Sequence, residues 1–191
     1  CAMQVNRACG SGTQAILTAA QQIMTGHGKI ALAGGGENFS RAPFANQKMR
    51  WGAIRGAQSF EDTMESVYSD PFGHGLMGAT AENLSEDFQY RREDMDAWGL
   101  MSQQRAGKAI ATGFLARQIA PIEVPEGRKG TRLMSDDEFP RPEITLEKLA
   151  TLKPVFRKGG QVTPGNSSGV TDGAAFVLVG DRAALEAKGI E

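Results

Sequence analysis

Small and apolar residues fall on one helical face across residues 12–24, where Ala15, Ile16, Ala19, Ala20 and Ile23 recur at helical spacing. The runs at 2–6 and 29–33 read as short strands, so the chain is predicted to open with a strand–helix–strand unit of an α/β sheet. Beyond Gly34-Gly35-Gly36 the period is lost. Residues 41–78 mix Gly, Ser, Met and charge, and read as an excursion of loops and short pieces. Regular pattern returns in two helices, 80–89 and 93–112, the second with a small or apolar face of Met95, Trp98, Gly99, Met101, Ser102, Ala106, Ala109 and Ile110. Residues 119–124 alternate as a strand, 127–141 read as a charged surface segment containing proline, and 146–151 as a short helix before Lys153-Pro154. A strand of small and β-branched residues at 173–179 and a helix at 182–188, capped by Asp181, close the chain. Strand signals sit at both ends, so the middle reads as an insertion between strands of one core.

At 191 residues and 40% hydrophobic, the chain can bury a sizeable core as one large domain or two small ones. A net charge of -1 supplies no field to attract nucleic acid or an anionic membrane. No apolar run approaches the ~20 residues of a membrane span, and no signal-peptide pattern opens the chain, so no membrane partner and a cytoplasmic location are expected. The chain begins at Cys1 in what reads as mid-strand, which points to part of a longer polypeptide. Two cysteines and two histidines, with neither C-x-x-C nor H-x-x-x-H, argue against a structural zinc, and no metal is expected. Cys1 and Cys9 are expected to be free thiols, because an extended stretch at ~3.3 Å per residue holds them beyond the ~7 Å reach of a disulfide.

Cys9 itself stands among glycines in "VNRACGSGTQAI", just ahead of the first helix. A helix N-terminus leaves N–H groups unpaired and carries partial positive charge, which favours a thiolate over a thiol. Gly10 and Gly12 keep side chains clear of the sulfur, so an acyl group can approach, and the Cys9 N–H is placed to help hold an oxyanion. Spacing alone equally allows a small buried residue at a tight turn. A nucleophilic thiol also needs a base. His27 lies at the far end of the same helix, over about 20 Å away. Either His74, in a glycine-rich loop, serves, or the base lies outside this chain. Gly34-Gly35-Gly36-Glu37-Asn38 lacks the spacing of a nucleotide cradle and reads as close backbone packing.

Taken together, these stretches resemble the thiolase family, coenzyme-A-dependent enzymes that cleave or form 3-oxoacyl thioesters. "NRACGSGTQAI" is similar to the family's N-x-x-C-x-S-G nucleophile motif, and "ALAGGGENFSRAP" to its G-G-x-E-x-x-S-x-A-P strand and turn. "MGATAENL" resembles M-G-x-T-A-E, and "VTPGNSSGVTDGAA" resembles T-x-G-N-x-S-G-x-x-D-G-A-A. The resemblance implies an acyltransferase in which Cys9 takes the acyl group as a thioester. It passes that group to coenzyme A in degradation, or to an acetyl-CoA carbanion in synthesis. Coenzyme A and acyl-CoA are then substrates, with no permanently bound cofactor, and fatty acid metabolism is the implied setting.

By position in the matched motifs, the resemblance assigns Ser168 to the pantetheine and Met77 to the acyl pocket. A gap-free count back from Lys153-Pro154 assigns Arg141 to the nucleotide end. The implied fold is a partial layered αβα core, residues 1–40 and 168–191, with an inserted, mostly helical loop domain, 41–167, that binds coenzyme A. A homodimer or homotetramer is also implied. Two departures matter: Leu76 stands where some biosynthetic members place a histidine, and the N-E-A-F, G-H-P-x-G and C-x-G-G-G motifs do not occur. The activating histidine and second cysteine are therefore expected in a C-terminal half outside these residues, and the segment alone is expected to be inactive. The alternative is a non-catalytic acyl-CoA-binding relative.

Overall fold

The computed structural model describes residues 2–53 and 55–190. The helices, in chain order, are α1 (Ser11–Met24), α2 (Thr63–Tyr68), α3 (Met77–Asp87), α4 (Arg92–Ala111), α5 (Leu146–Ala150) and α6 (Arg182–Glu186). The strands are β1 (Ile30–Glu37), β2 (Phe44–Ala45), β3 (Glu61–Asp62), β4 (Ser69–Asp70), β5 (Gly75–Leu76), β6 (Ile122–Pro125), β7 (Thr131–Met134) and β8 (Gly173–Gly180). They fall into two units, Cys1–Val67 with Val170–Glu191, and Tyr68–Gly169. Residues 41–67, read from sequence as the start of the inserted domain, cluster with the first unit.

In the first unit, β1 and β8 pair antiparallel over their full length, from Ile30 opposite Gly180 to Glu37 opposite Gly173. Helix α1 lies against both strands. Small residues make this approach possible: Ala19 and Ala33 are buried, and a Cβ placed on Gly35 would sit 3.6 Å from the Gly12 Cα. Gly34 is tighter. A Cβ there would fall on the Ala175 carbonyl oxygen and lie 2.7 Å from the Phe176 Cα, both backbone atoms that cannot swing aside. Gly34→Ala is accordingly expected to destabilise this unit by about 2 kcal/mol or more, while Gly35→Ala meets ordinary contact distances and costs much less. Urea denaturation of the two variants checks the contrast. Asp181 caps α6, its Oδ1 accepting the Ala184 N–H at 3.1 Å.

Residues 2–6 form no strand, contrary to the sequence reading. Extended backbone becomes a strand only when a neighbour takes its N–H and C=O groups, and β1 pairs with β8, antiparallel. The consecutive strand–helix–strand unit is thus replaced by an antiparallel pair joining the two ends of the chain.

The second unit contains α3, α4 and α5, with β6 and β7 as a hairpin running from Ile122 opposite Met134 to Pro125 opposite Thr131. Residues 127–141, read as a surface segment, therefore supply a paired strand. Its buried residues are mostly polar: Glu82, Ser85, Asp96 and Thr163 join Leu149 and Val162.

Candidate functional site

Cys9 is a free, exposed thiol in the turn that leads into α1, so the buried-residue reading is set aside. Cys1 lies outside the described residues. The turn is tight: Ala8 adopts φ +46, and the Gly10 and Ser11 N–H groups donate to the Arg7 and Ala8 carbonyls at 3.0 Å each. Gly10 is the helix N-cap and makes no side-chain capping bond, and the first turn of α1 carries no acidic residue. No carboxylate in that turn offsets the partial positive charge of the helix end beside the sulfur. His27 lies beyond the other end of α1, where its Nδ1 is 3.0 Å from the Thr25 hydroxyl. His74 belongs to the second unit, in a turn whose Phe72 and His74 N–H groups both donate to the Asp70 carboxylate.

Met77 and Ser168 are also in the second unit. Met77 is the first residue of α3 and is half exposed at 52%. Ser168 is exposed and follows a segment fixed by buried polar contacts. The Glu82 carboxylate, 2% exposed, accepts the Gln161 N–H at 3.0 and 2.9 Å and the Val162 N–H at 2.8 Å. Asn166 accepts the Thr163 N–H at 2.8 Å and donates to Asp96 and to the Gln161 carbonyl, each at 3.0 Å. Asp96 in turn accepts from Arg92 at 2.7 Å, and Arg92 also donates to the Leu149 and Leu152 carbonyls. These bonds tie the "MGATAENL" helix to residues 161 and 162, just ahead of the "TPGNSSG" loop, and tie α4 to Asn166 within that loop. Neither Glu82 nor Asp96 was singled out from sequence, although the "MGATAENL" stretch that holds Glu82 was.

Arg141 lies on a segment adjoining Ser168, since a Cβ on Gly169 would fall on the Phe139 ring. One nitrogen of its guanidinium, Nη1, donates to the Glu138, Phe139 and Pro140 carbonyls at 2.6, 2.9 and 2.9 Å. Those bonds brace its own loop. A cleft of about 580 Å³ lies at the end of α3 and the start of α4, lined by Glu82, Tyr90, Arg92, Arg157 and Gly160 among others, and by none of the residues assigned from sequence. Its arginines are already engaged, Arg91 with Asp94, Arg92 with Asp96, and Arg157 with Glu86 and Asn83. Among the described residues, no cluster of three or more His, Cys, Asp and Glu could hold a metal, and no helix is long and apolar enough to cross a membrane.

A family model, "Thiolase, N-terminal domain", matches residues 1–183. This chain belongs to the thiolase family. Beta-ketothiolase BktB of Cupriavidus necator is 42% identical over 191 residues, covering all of this chain and 48% of that protein. The crystal structure of the Bacillus anthracis acetyl-CoA acetyltransferase superposes with a TM-score of 0.89 at 44% identity, over 98% of this chain and 47% of that one. The human mitochondrial 3-ketoacyl-CoA thiolase in complex with CoA gives 0.88 at 37%, over 98% and 46%. The chain thus spans about half the length of the curated relatives it matches, and its fold is a partial thiolase-like α/β fold.

Two thiolase motifs distant in sequence meet in the first unit. The "GGGENFSRAP" stretch supplies Ser40, whose N–H donates to Asp172 of "VTDGAA" at 2.9 Å. The Ser40 hydroxyl, its N–H and the Phe39 N–H hold the Asp172 carboxyl below its ordinary 3.8. A carboxyl lowered in the native state contributes stability above its unfolded value, and that contribution is lost as pH falls through the lower native value. Asp172→Asn is therefore expected to weaken the unit at neutral pH and to flatten its stability-against-pH curve below about pH 4. Thermal melts between neutral pH and about pH 3 would read it, and parallel curves for the two proteins would contradict it.

Proposed function

We propose that this chain carries the nucleophile and the coenzyme A contacts of a thiolase acyltransferase. The observation that carries the proposal is the exposed Cys9 thiol, presented ahead of α1 within the thiolase motif "NRACGSG". In thiolytic cleavage, Cys9 Sγ adds to the 3-oxo carbonyl and the bond between C2 and C3 breaks. Its electron pair leaves on the acetyl-CoA fragment, which takes up a proton. The thiol of a second coenzyme A then attacks the acyl–Sγ thioester, releasing the shortened acyl-CoA and restoring Cys9. Run in reverse, the same steps form a 3-oxoacyl-CoA.

The free Cys9 side chain and the uncancelled helix end support the first step, and the Cys9 N–H is proposed to help hold the oxyanion. Residues 41–167 are proposed to act as the coenzyme A-binding loop domain of the thiolase core, with Ser168 at the pantetheine, Met77 in the acyl pocket and Arg141 at the nucleotide end. For Arg141 this leaves the guanidinium atoms other than Nη1 to meet a phosphate. The proton acceptor and the second cysteine are proposed to come from thiolase sequence outside these 191 residues. Coenzyme A is a substrate and no cofactor is permanently held. The whole enzyme is proposed to be a cytoplasmic homodimer or homotetramer of fatty acid metabolism.

Exchange of label between acetyl-CoA and free coenzyme A tests the proposal, because an acyl-enzyme is the intermediate that links the two pools. The full-length polypeptide is expected to catalyse this exchange without a second acyl acceptor. Coenzyme A binding without exchange would instead identify a non-catalytic acyl-CoA-binding relative.

A further inference from the structure

We infer that Asn6 and Ser11 are positioning residues for Cys9: they clamp Ala8 in a left-handed conformation and so fix the direction in which the thiol leaves the turn. The inference rests on the reading of Cys9 as the acyl acceptor. Ala8 has φ +46, a region that a Cβ disfavours and that glycine occupies freely. Both polar groups of its backbone are held by side chains. The Ala8 N–H donates to Asn6 Oδ1 at 3.0 Å, and the Ser11 hydroxyl donates to the Ala8 carbonyl at 2.6 Å.

Ser11 reaches across the strained residue. Its oxygen also accepts the Arg7 N–H at 2.9 Å, so a single hydroxyl bonds the backbone on either side of the Ala8 α-carbon. Ser11 is the first residue of α1, one past the N-cap Gly10, and its hydroxyl points back into the turn. Ala8 and Cys9 share a peptide unit, so relaxation of Ala8 toward right-handed φ would rotate the Cys9 Cα–Cβ bond away from its present direction. The two side chains oppose that relaxation through bonds to the backbone of Arg7 and Ala8.

Single-turnover acetylation of Cys9 by acetyl-CoA in the full-length polypeptide tests this, with Ser11→Ala and the double variant Ala8→Gly/Ser11→Ala. Ser11→Ala is expected to slow acetylation about tenfold, with the concentration of acetyl-CoA giving half the maximal rate unchanged. The double variant is expected to regain most of that rate, because glycine takes the left-handed conformation without restraint. A purely structural role has a different signature: glycine relieves the strain at residue 8 and the double variant regains melting temperature, with no recovery of rate. The proposal is overturned if Ser11→Ala acetylates at the unsubstituted rate, or if the double variant is no faster than Ser11→Ala. A third result, no acetyl on Cys9 of the unsubstituted protein, removes the acyl-acceptor reading and this inference with it.

Discussion

Replacing Cys9 by serine in the full-length polypeptide is expected to lower kcat for thiolysis of a 3-oxoacyl-CoA by on the order of 10⁴-fold or more. A hydroxyl is shorter than the thiol and is a far weaker nucleophile unless a base is fully engaged with it. The substituted atom belongs to an exposed side chain in the first unit, so neither the β1–β8 pairing nor the polar core of the second unit is disturbed. Coenzyme A affinity, measured by calorimetry, is therefore expected to stay within about twofold, since nucleophile and binding residues contribute separately to kcat and to ground-state binding. A Cys9→Ser enzyme that retained a tenth of its turnover would remove Cys9 from the chemistry.

The second large effect is on stability. Glu82→Ala is expected to destabilise the second unit by about 3 kcal/mol, because it leaves the Gln161 and Val162 N–H groups without their acceptor in a buried setting. The carboxyl is packed closely on this loop, since a Cβ on Gly160 would meet the Glu82 Cδ at 2.5 Å. Glu82→Gln keeps the volume but presents an NH₂ group where an acceptor is required, so it is expected to recover only part of the loss. Chemical denaturation gives both values. Equal stability of Glu82→Gln and the unsubstituted protein would show that the carboxylate charge is not what holds the loop.

Glu82 also shows where the sequence was hard to read. In α3 the apolar Met77 and Leu84 are each 52% exposed, while Glu82 and Ser85 are 2% exposed. A reading that places apolar residues inside finds the helix but turns it the wrong way round. Helix α4 is mixed: Met95, Gly99, Met101 and Ala106 of its expected face are half-buried, but the buried position beside them is Asp96, at 3%, and Trp98 is 70% exposed. In both, hydrogen bonds to a distant loop decide which face is buried, and those partners lie about 60 to 80 residues away in sequence. The helices themselves were legible because their spacing and ends are local: 93–112 was expected and Arg92–Ala111 is found, and Asp181 caps α6 as its position indicated.

Strand pairing was less legible for the same reason. Residues 173–179 read correctly as a strand, and their small and apolar run is the pattern of a strand meant to be covered on both faces. Nothing in that run names β1 as its antiparallel partner. Residues 2–6 carried a similar pattern without acquiring a partner, and 131–134 became a strand despite its charge because 122–125 lies opposite. For the candidate site, the glycine surroundings of Cys9 made it a candidate in the sequence, and the structure leaves its thiol exposed. The left-handed Ala8 and its clamp were not legible there, since an alanine gives no sign in sequence that its φ will be positive.

The most direct measurement is the mass of the peptide containing Cys9 after brief incubation of the full-length polypeptide with acetyl-CoA and acid quench. One acetyl group on Cys9, discharged when free coenzyme A is added before the quench, is the expected result. An unmodified Cys9 under conditions where thiolysis proceeds, or acetyl found on another residue, would contradict it.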